Sequence, residues 1–159
     1  MNRFRIRLAT SSDLHQICII EDDSFPAPYP PALLERLLQQ YPDTFFAAAD
    51  SSGKLVGYCV SALEGKLAHL ISIAVLREHR RNGVGSTLLQ NLITFSERHG
   101  VEELWLEVNS GNKEAIGLYD KFGFTSVMIL ENYYSDGSAA LRMRLSLNRQ
   151  VLGVARNRR

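Results

Sequence analysis

Residues 71–87 read ISIAVLREHRRNGVGST, and this stretch decides the fold more directly than any other part of the chain. Residues 71–75 are mostly apolar, as in a buried strand. Residues 80–85 are basic and rich in glycine, and the apolar residues that follow Gly85 recur at helical spacing. The stretch therefore predicts a buried strand that runs through a basic turn into a helix.

The chemistry of that turn fits a phosphate group. The first turn of a helix leaves about four backbone N–H groups without intrahelical partners and carries about half a positive charge. Gly83 and Gly85 let a ligand approach the backbone closely, while Arg80 and Arg81 add side-chain donors that match phosphate oxygens. We therefore expect the turn to bind a diphosphate.

Two common phosphate-binding motifs do not fit the turn. A P-loop requires a lysine, but none precedes Ser86. A dinucleotide fingerprint requires a third glycine at the position that Leu88 occupies. The remaining spacing is R-x-x-G-x-G at residues 80–85, which by itself leaves open a glycine-rich turn with solvated arginines.

The rest of the chain alternates strand-like and helix-like segments. In chain order the patterns predict strand 4–8, a helix from Leu14, a proline-rich loop 25–31, a helix with Leu33, Leu34, Leu37 and Leu38 that ends at Pro42, strands 44–49, 54–63 and 67–75, a helix from Gly85 to Gly100, strand 104–108, helix 112–122, and strands 124–130 and 139–147. The order βααβββαβαββ indicates an α+β fold with one sheet and helices on both faces.

Composition is typical of one globular domain. The chain has 159 residues, of which 45% are hydrophobic and 22% are charged. No stretch reaches the length of a membrane span, and the N-terminal residues lack an apolar signal core. Cys18 and Cys59 lie in apolar surroundings without metal-ligand spacing, which excludes a zinc site of the usual type. We expect a cytoplasmic protein with free thiols.

The charge of the chain is unevenly distributed. The formal net charge is +1, but residues 142–159 contain six arginines and no acidic residue. We predict a domain at residues 1–147 and a basic tail at residues 148–159. Such a tail can contact RNA or another acidic surface, or be a solvated, frayed terminus.

A second group of motifs accompanies the basic turn. Residues 104–112 read LWLEVNSGN, residues 115–124 read AIGLYDKFGF, and residues 133–137 read YYSDG, while AHLISIAV precedes the turn at residues 68–75. With these motifs, nearly all of residues 4–145 resemble the GNAT superfamily of acetyl-CoA-dependent N-acetyltransferases. Within it the chain is similar to the ribosomal-protein alanine acetyltransferases and to the archaeal-type protein N-terminal acetyltransferases. The resemblance implies the GNAT fold, with a mixed, mostly antiparallel sheet.

The resemblance also implies acetyl-CoA as cosubstrate, with no metal required. The basic turn would wrap the diphosphate, and the backbone of residues 73–75 would meet the pantetheine arm and the thioester oxygen. The residues that the resemblance assigns to acetyl-CoA are Ile73, Ala74, Val75, Arg80, Arg81, Asn82, Gly83, Val84, Gly85, Ser86, Asn112, Tyr119 and Lys121.

Three residues are implied as catalytic. Tyr119 would protonate the leaving thiolate, since a phenol with a pKa of about 10 can transfer a proton to a thiolate whose conjugate thiol has a pKa of about 8.5. Glu107 is the best candidate for the base, and His69, on the strand expected to lie next to it, would share an ordered water with it. The sequence leaves open a core tyrosine at Tyr119, a sheet histidine at His69 and a carboxylate bonded to backbone at Glu107.

The resemblance also implies an aromatic binding site for the acceptor peptide. Tyr29 in the proline-rich loop, with Tyr133 and Tyr134 near the end of the chain, resembles the family's peptide groove. An aromatic lid over the core is the other interpretation of these three residues. Residues 26–28 contain no acid, whereas some relatives carry one in this loop. Acid-dependent preferences for the second residue of the acceptor therefore do not transfer to this chain.

The combined motifs predict a protein N-terminal α-amine acetyltransferase in which the amine attacks the thioester directly. The expected partner is a protein or peptide N-terminus, such as that of a ribosomal protein or a nascent chain, without membrane association. The alternatives are acetylation of a small-molecule amine or a lysine side chain, and a non-catalytic acyl-CoA-binding or ribosome-associated module.

Overall fold

A computed structural model describes residues 3–147 of the chain. The elements in chain order are β1 (Phe4–Leu8), α1 (Leu14–Ser24), α2 (Pro31–Gln40), β2 (Phe45–Asp50), β3 (Leu55–Glu64), β4 (Leu67–Val75), α3 (Val84–Arg98), β5 (Glu103–Asn109), α4 (Lys113–Lys121), β6 (Thr125–Leu130) and β7 (Ala140–Ser146), with 3-10 helices at Ser11–Asp13 and Arg77–His79. The predicted order of strands and α-helices is confirmed. The basic tail predicted at residues 148–159 lies outside the described residues.

Several boundaries differ from the expected ones by a residue. The proline-rich loop ends at Pro30 rather than Pro31, because Pro31 is the first residue of α2. At that position a proline lacks only an N–H that would have no helical partner, so it starts the helix instead of preventing it. The helix expected from Gly85 begins at Val84, and the strand expected at residues 44–49 is shifted by one residue.

Contacts along the chain divide it into two compact units. Among the described residues, the first contains 3–63 and 70–94, and the second contains 64–69 and 95–147. Strand β4 therefore belongs in part to each unit. In the first unit the strand order is β1-β2-β3-β4, and in the second it is β4-β5-β7-β6.

The sheet is mixed and mostly antiparallel, as expected. In the first unit β2 pairs antiparallel with β1 and β3. In the second unit β7 pairs antiparallel with β5 and β6, whereas β4 pairs in parallel with β5, with Leu67, Ala68 and His69 opposite Glu103, Leu104 and Trp105. A parallel pair needs a crossover connection, and the chain between β4 and β5 contains α3.

Helices pack against both faces of β3 in the first unit. A Cβ atom on Gly57 would lie 3.0 Å from the Ala74 carbonyl oxygen and 3.1 Å from the Val84 side chain, so glycine permits the close approach of α3. The next residue, Tyr58, points to the opposite face, where its hydroxyl donates to Glu21 on α1. The core of this unit includes Ile17, Ile20, Leu34, Phe45, Leu55, Tyr58 and Val60.

In strands β5 and β7 of the second unit, buried side chains alternate with partly exposed ones. Leu104, Leu106 and Val108 on β5 are buried with Met143 and Leu145 on β7. The intervening residues of β5, including Trp105 and Glu107, are half-buried. Because successive side chains of a strand point to opposite faces, one face forms the core and the other carries charged and aromatic groups.

Both cysteines are free thiols, as expected. Cys18 is half-buried and Cys59 is fully buried. Loss of solvation raises the pKa of Cys59 to about 12, so its thiol stays protonated at neutral pH.

Candidate active site

The turn between β4 and α3 is held in shape by its own side chains. Asn82 Nδ2 lies 3.3 Å from the His79 carbonyl oxygen and 3.2 Å from that of Arg80. Arg80 Nε donates to the Val75 carbonyl oxygen at 3.0 Å, which ties the guanidinium to the end of β4. Arg81 is exposed and adopts a left-handed φ of 62°. This conformation is uncommon for a residue with a side chain, and the surrounding hydrogen bonds maintain it.

The start of α3 presents backbone donors, as the sequence predicted. The Thr87 N–H donates to the Gly83 carbonyl oxygen at 3.0 Å, and the Thr87 hydroxyl donates to the same oxygen at 2.8 Å. The N–H groups of Val84, Gly85 and Ser86 precede this bond, so they belong to the positive end of the helix. Gly83 has a φ of 82°, and a Cβ placed there would meet no atom within 4 Å. The turn therefore offers an open, positively polarised surface that fits a phosphate group.

The three β4 residues assigned to the pantetheine arm lie directly before this turn. Ile73 and Val75 are half-buried, and Ala74 is buried. The Ala74 carbonyl oxygen faces Gly57 of β3, and the Val75 carbonyl oxygen accepts the bond from Arg80. Their proposed contacts with acetyl-CoA stay a prediction.

The second unit brings His69 and Glu107 into direct contact. His69 Nε2 lies 2.7 Å from Glu107 Oε2, so the two side chains are hydrogen-bonded directly. The ordered water that we expect them to share stays a prediction. The other carboxylate oxygen, Oε1, accepts from Arg142 Nη2 at 3.1 Å. Glu107 is thus bonded to two side chains from neighbouring strands, rather than to the backbone.

The environment of Glu107 determines its ionisation. Burial by itself would raise its pKa, but the hydrogen bond and charge of His69, with those of Arg142, outweigh burial and lower the pKa. Glu107 therefore stays ionised at neutral pH. An ionised carboxylate only accepts hydrogen bonds, so the proton of this contact lies on His69 Nε2.

Helix α4 carries the other residues predicted in the second unit. Asn112 caps the helix, and its side-chain oxygen accepts from the Ala115 N–H at 3.1 Å. Tyr119 is 5% exposed and contacts the Phe124 ring at a centroid distance of 5.6 Å. Lys121 is exposed in the last turn. The burial of Tyr119 is compatible both with a core residue and with an acid in a site of low polarity.

Tyr133 and Tyr134 lie in the tight loop between β6 and β7. Their backbone N–H groups both donate to the Ser138 carbonyl oxygen at 3.1 Å, and their rings meet edge to face at 5.0 Å. Burial raises the pKa of Tyr133, and the charge of Glu107 raises it further while Arg142 opposes this. Tyr133 and Glu107 therefore interact electrostatically.

Tyr29 is anchored by a buried carboxylate in the first unit. Its backbone N–H donates to Glu21 Oε1 at 2.9 Å, and Glu21 Oε2 accepts from the Tyr58 hydroxyl. Tyr58 also lies 3.1 Å from the Ser72 hydroxyl on β4. The buried cluster therefore fixes the proline-rich loop that carries Tyr29.

The family is decided by a match over most of the chain. The description of the acetyltransferase (GNAT) family fits residues 14–124, which extend from the start of α1 to the residue before β6. The chain belongs to the GNAT acetyltransferase family. The resemblance in the motifs and the fold class expected from it are both confirmed.

Individual GNAT proteins are similar over nearly the whole chain. An N-alpha-acetyltransferase of Sulfolobus acidocaldarius is 39% identical over 153 residues, covering 88% of this chain and 90% of the relative. The structure of Ard1 from Thermoplasma volcanium has a TM-score of 0.87 and 31% identity, with 91% of this chain and 98% of that chain covered. The ribosomal-protein-S18-alanine N-acetyltransferase from Escherichia coli has a TM-score of 0.82 and 30% identity, with coverage of 91% and 94%.

The sequence analysis did not identify four residues that surround the candidate site residues Tyr29, His69 and Glu107. They are Glu21, Tyr58, Trp105 and Arg142. A signal for Glu21 exists, because an acid follows the apolar positions Ile17 and Ile20 on the inner side of α1. Arg142 shows only period-two alternation on its strand, and nothing in the sequence connects that strand with Glu107.

Residues 3–147 lack two further features. In that part of the chain no cluster of three or more His, Cys, Asp or Glu side chains has the arrangement to hold a metal ion. No helix within the same residues combines the length and apolar character needed to cross a membrane. The expectation that no metal is required stays a prediction.

Proposed function

We propose that this chain transfers the acetyl group of acetyl-CoA to the α-amine of a protein or peptide N-terminus. The observation that carries the proposal is the direct hydrogen bond between His69 and Glu107, with the acceptor candidate Tyr133 electrostatically coupled to the same carboxylate. The similarity to N-alpha-acetyltransferases over 88% of the chain supports the same reaction.

The His69–Glu107 pair is a weak base, and a weak base is sufficient to deprotonate an α-amine. A protein α-amine has a pKa of about 7.8, so about 14% of it is neutral at pH 7, against about 0.04% of a lysine amine. Removing the proton from lysine therefore requires roughly 3.5 kcal/mol more. A histidine oriented by an ionised carboxylate is sufficient for the first acceptor and a poor match for the second.

GNAT enzymes use acetyl-CoA, and the first unit of this chain fits its diphosphate. We assign the diphosphate to the backbone at residues 81–86 and to the guanidinium of Arg81, because the turn is open at Gly83 and positively polarised. Arg80 supports the turn through Val75. When bound, acetyl-CoA supplies the acetyl group as a thioester. We also assign Asn112, Tyr119 and Lys121 to acetyl-CoA, as the resemblance implies.

The chain's own residues handle the protons of the reaction. His69 and Glu107 are hydrogen-bonded to each other, and we assign this pair, directly or through water, as the acceptor of the amine proton. Glu107 then orients the ring and stabilises its charged form. The amine nitrogen forms the new bond to the acetyl carbon, the carbon–sulfur bond breaks, and Tyr119 donates its proton to the leaving thiolate.

The acceptor side is assigned to three aromatic residues. Tyr29 is fixed by Glu21, and Tyr133 and Tyr134 are fixed by the hydrogen bonds to Ser138. Their hydroxyls and ring faces suit a short, extended peptide that offers backbone polar groups and apolar side chains. We further propose a cytoplasmic enzyme that acts on a ribosomal protein or a nascent chain. The name of the E. coli relative states a ribosomal protein, S18, as the acceptor of that enzyme.

The test separates α-amines from lysine amines. Purified protein receives acetyl-CoA with two matched peptides, one with a free α-amine and no lysine, and one blocked at the N-terminus and containing lysine. Mass spectrometry then locates the added acetyl group. We expect product from the first peptide, and equal acetylation of the blocked peptide would overturn the proposal. A parallel screen of small amines identifies the metabolite alternative.

A further inference from the structure

Trp105 contacts one side chain from each of its two neighbouring strands. The His69 ring of β4 stacks on it with a centroid distance of 3.7 Å and an interplanar angle of 5°. The Arg142 guanidinium of β7 lies 5.0 Å from the centre of the same indole. Since β5 lies between β4 and β7, the two side chains approach Trp105 from opposite strands.

Glu107 joins the same two side chains by hydrogen bonds. Its Oε2 contacts His69 Nε2 at 2.7 Å, and its Oε1 contacts Arg142 Nη2 at 3.1 Å. The Glu107 side chain is 9% exposed, whereas those of His69 and Arg142 are 28% and 35% exposed. The four residues form a closed cluster in which His69 and Arg142 each touch both Glu107 and Trp105.

We propose that Arg142 is a positioning residue for acetyl transfer, which holds the Glu107 carboxylate in the orientation that bonds His69. The inference rests on the proposed function, because it gives the His69–Glu107 pair its role. Arg142 acts on the reaction through Glu107, and Trp105 provides the surface on which the guanidinium and the imidazole are both fixed.

The charges around Glu107 support this role. The carboxylate is hydrogen-bonded to His69 from β4 and Arg142 from β7, and it interacts electrostatically with Tyr133 from the loop between β6 and β7. Without Arg142 the carboxylate would lose the guanidinium that bonds Oε1 while remaining largely buried. Arg142 thus keeps Glu107 an ionised acceptor at the point where His69 needs one.

A purely structural arginine in a sheet would have most of its buried donors paired. Arg142 Nε is buried and lacks a hydrogen-bond partner among residues 3–147. The contacts to Glu107 and Trp105 therefore place the guanidinium, although this leaves one of its donors unsatisfied.

Arg144 supplies a matched control on the same strand and the same face. It lies 3.8 Å from Glu103, and the two side chains are 53% and 35% exposed. An exposed pair of this kind contributes little to stability. Arg144 lies opposite Trp105 in the strand register but forms its ion pair with Glu103, not Glu107.

The test compares Arg142→Met and Arg142→Lys with Arg144→Met in the full chain. The titration of the Glu107 carboxyl carbon is followed by NMR, and kcat and KM are measured by thiol release with an acceptor that the wild-type protein uses. We expect Arg142→Met to move the Glu107 titration to higher pH and to lower kcat by at least about tenfold, with KM for acetyl-CoA unchanged. Arg142→Lys should restore the titration and part of kcat, and Arg144→Met should behave as wild type.

The outcomes separate this inference from the proposed function. An unchanged Glu107 titration together with kcat within about twofold of wild type in Arg142→Met would overturn the role of Arg142. A shifted titration in a protein that does not acetylate α-amines would overturn the proposed function and leave the coupling of Arg142 to Glu107 in place. Arg142→Gln provides the same comparison if the methionine variant does not fold, and an unfolded glutamine variant would indicate a structural role and contradict the proposal.

Discussion

Glu21 and Glu107 are both largely buried, but the protein shifts the pKa values of their carboxyl groups in opposite directions. Burial raises the pKa of Glu21, although the hydrogen bonds from the Tyr29 N–H and the Tyr58 hydroxyl partly offset this. The pKa of Glu107 is lowered because a guanidinium and an imidazole outweigh its burial. The difference lies in the partners, since neutral donors stabilise a buried carboxylate less than charged ones do.

Glu21 should make stability depend on pH. An acid whose pKa is raised by folding holds its proton more tightly in the folded state, so the free energy of unfolding falls as pH rises from the ordinary glutamate value of 4.5 towards the raised one. We expect this slope in wild-type protein and its loss in Glu21→Gln, measured by chemical denaturation from about pH 4 to about pH 7.5. Glu35→Gln, at an exposed position on α2, should retain the slope; equal slopes in wild type and Glu21→Gln would contradict the prediction.

Tyr119→Phe tests the proton donor with almost no change in volume. The ring and its contact with Phe124 remain, while the hydroxyl that would protonate the leaving thiolate is removed. We expect kcat to fall by at least about tenfold and the affinity for acetyl-CoA, measured by calorimetry, to stay within about twofold. Tyr41→Phe, which removes a hydroxyl in the other unit, is the control. Intact turnover in Tyr119→Phe would mean that Tyr119 is not the acid.

At the scale of elements, the two units present different chemistry at strand ends and loops. In the first unit, β4 passes through a hydrogen-bonded turn into α3, whose first N–H groups are the positive end of a helix. In the second unit, the loop between β6 and β7 holds two tyrosines by bonds to a single carbonyl group. Neither arrangement depends on a large core, because each is closed by hydrogen bonds within a short segment.

Gly83→Glu should prevent binding of acetyl-CoA. The substitution places a carboxylate beside the N-terminus of α3, where the diphosphate is proposed to lie, and it strains a backbone with a φ of 82°. We expect the dissociation constant for acetyl-CoA to rise by at least about a hundredfold in calorimetry.

Gly53→Glu is the matched control for this change. Gly53 has a φ of 89° and equally open surroundings, but it lies in the turn between β2 and β3. It should show a similar loss of stability with unchanged affinity for acetyl-CoA. If Gly83→Glu also kept its affinity, the diphosphate would have to bind elsewhere.

At the scale of the whole molecule, every residue assigned to the reaction falls within residues 29–142. A chain that ends after Leu147 loses four of the arginines near the C-terminus but none of these residues. We expect its kcat/KM for a short peptide to stay within about twofold of the full chain in a thiol-release assay. A full-length chain with the same four arginines changed to glutamine controls for charge, and a large loss in either variant would assign the tail a part in acceptor binding.

The order of strands and helices and the position of the basic turn could be predicted from the sequence. These features depend on neighbouring residues, such as the alternation in Phe4–Leu8 or the glycines before α3, and local spacing reports them directly. Pro31 shows the limit of that approach, because the same residue either prevents a helix or starts one, according to its position. The proximity of His69 and Glu107 was also predicted, since the motifs that contain them were expected on neighbouring strands.

What the sequence determined by itself is therefore the set of elements and the residue types at their ends. The tertiary structure decided which distant side chains meet: Arg142 reaches Glu107 because the β5–β7 register places them opposite each other, and Tyr58 reaches Glu21 because β3 packs against α1. The physical reason is that strand register is set by the burial of a whole face, and a shift by one residue would move every side chain to the other face. The packed sheet as a whole therefore sets the register of each strand, and the register determines which side chains surround the Glu107 carboxylate.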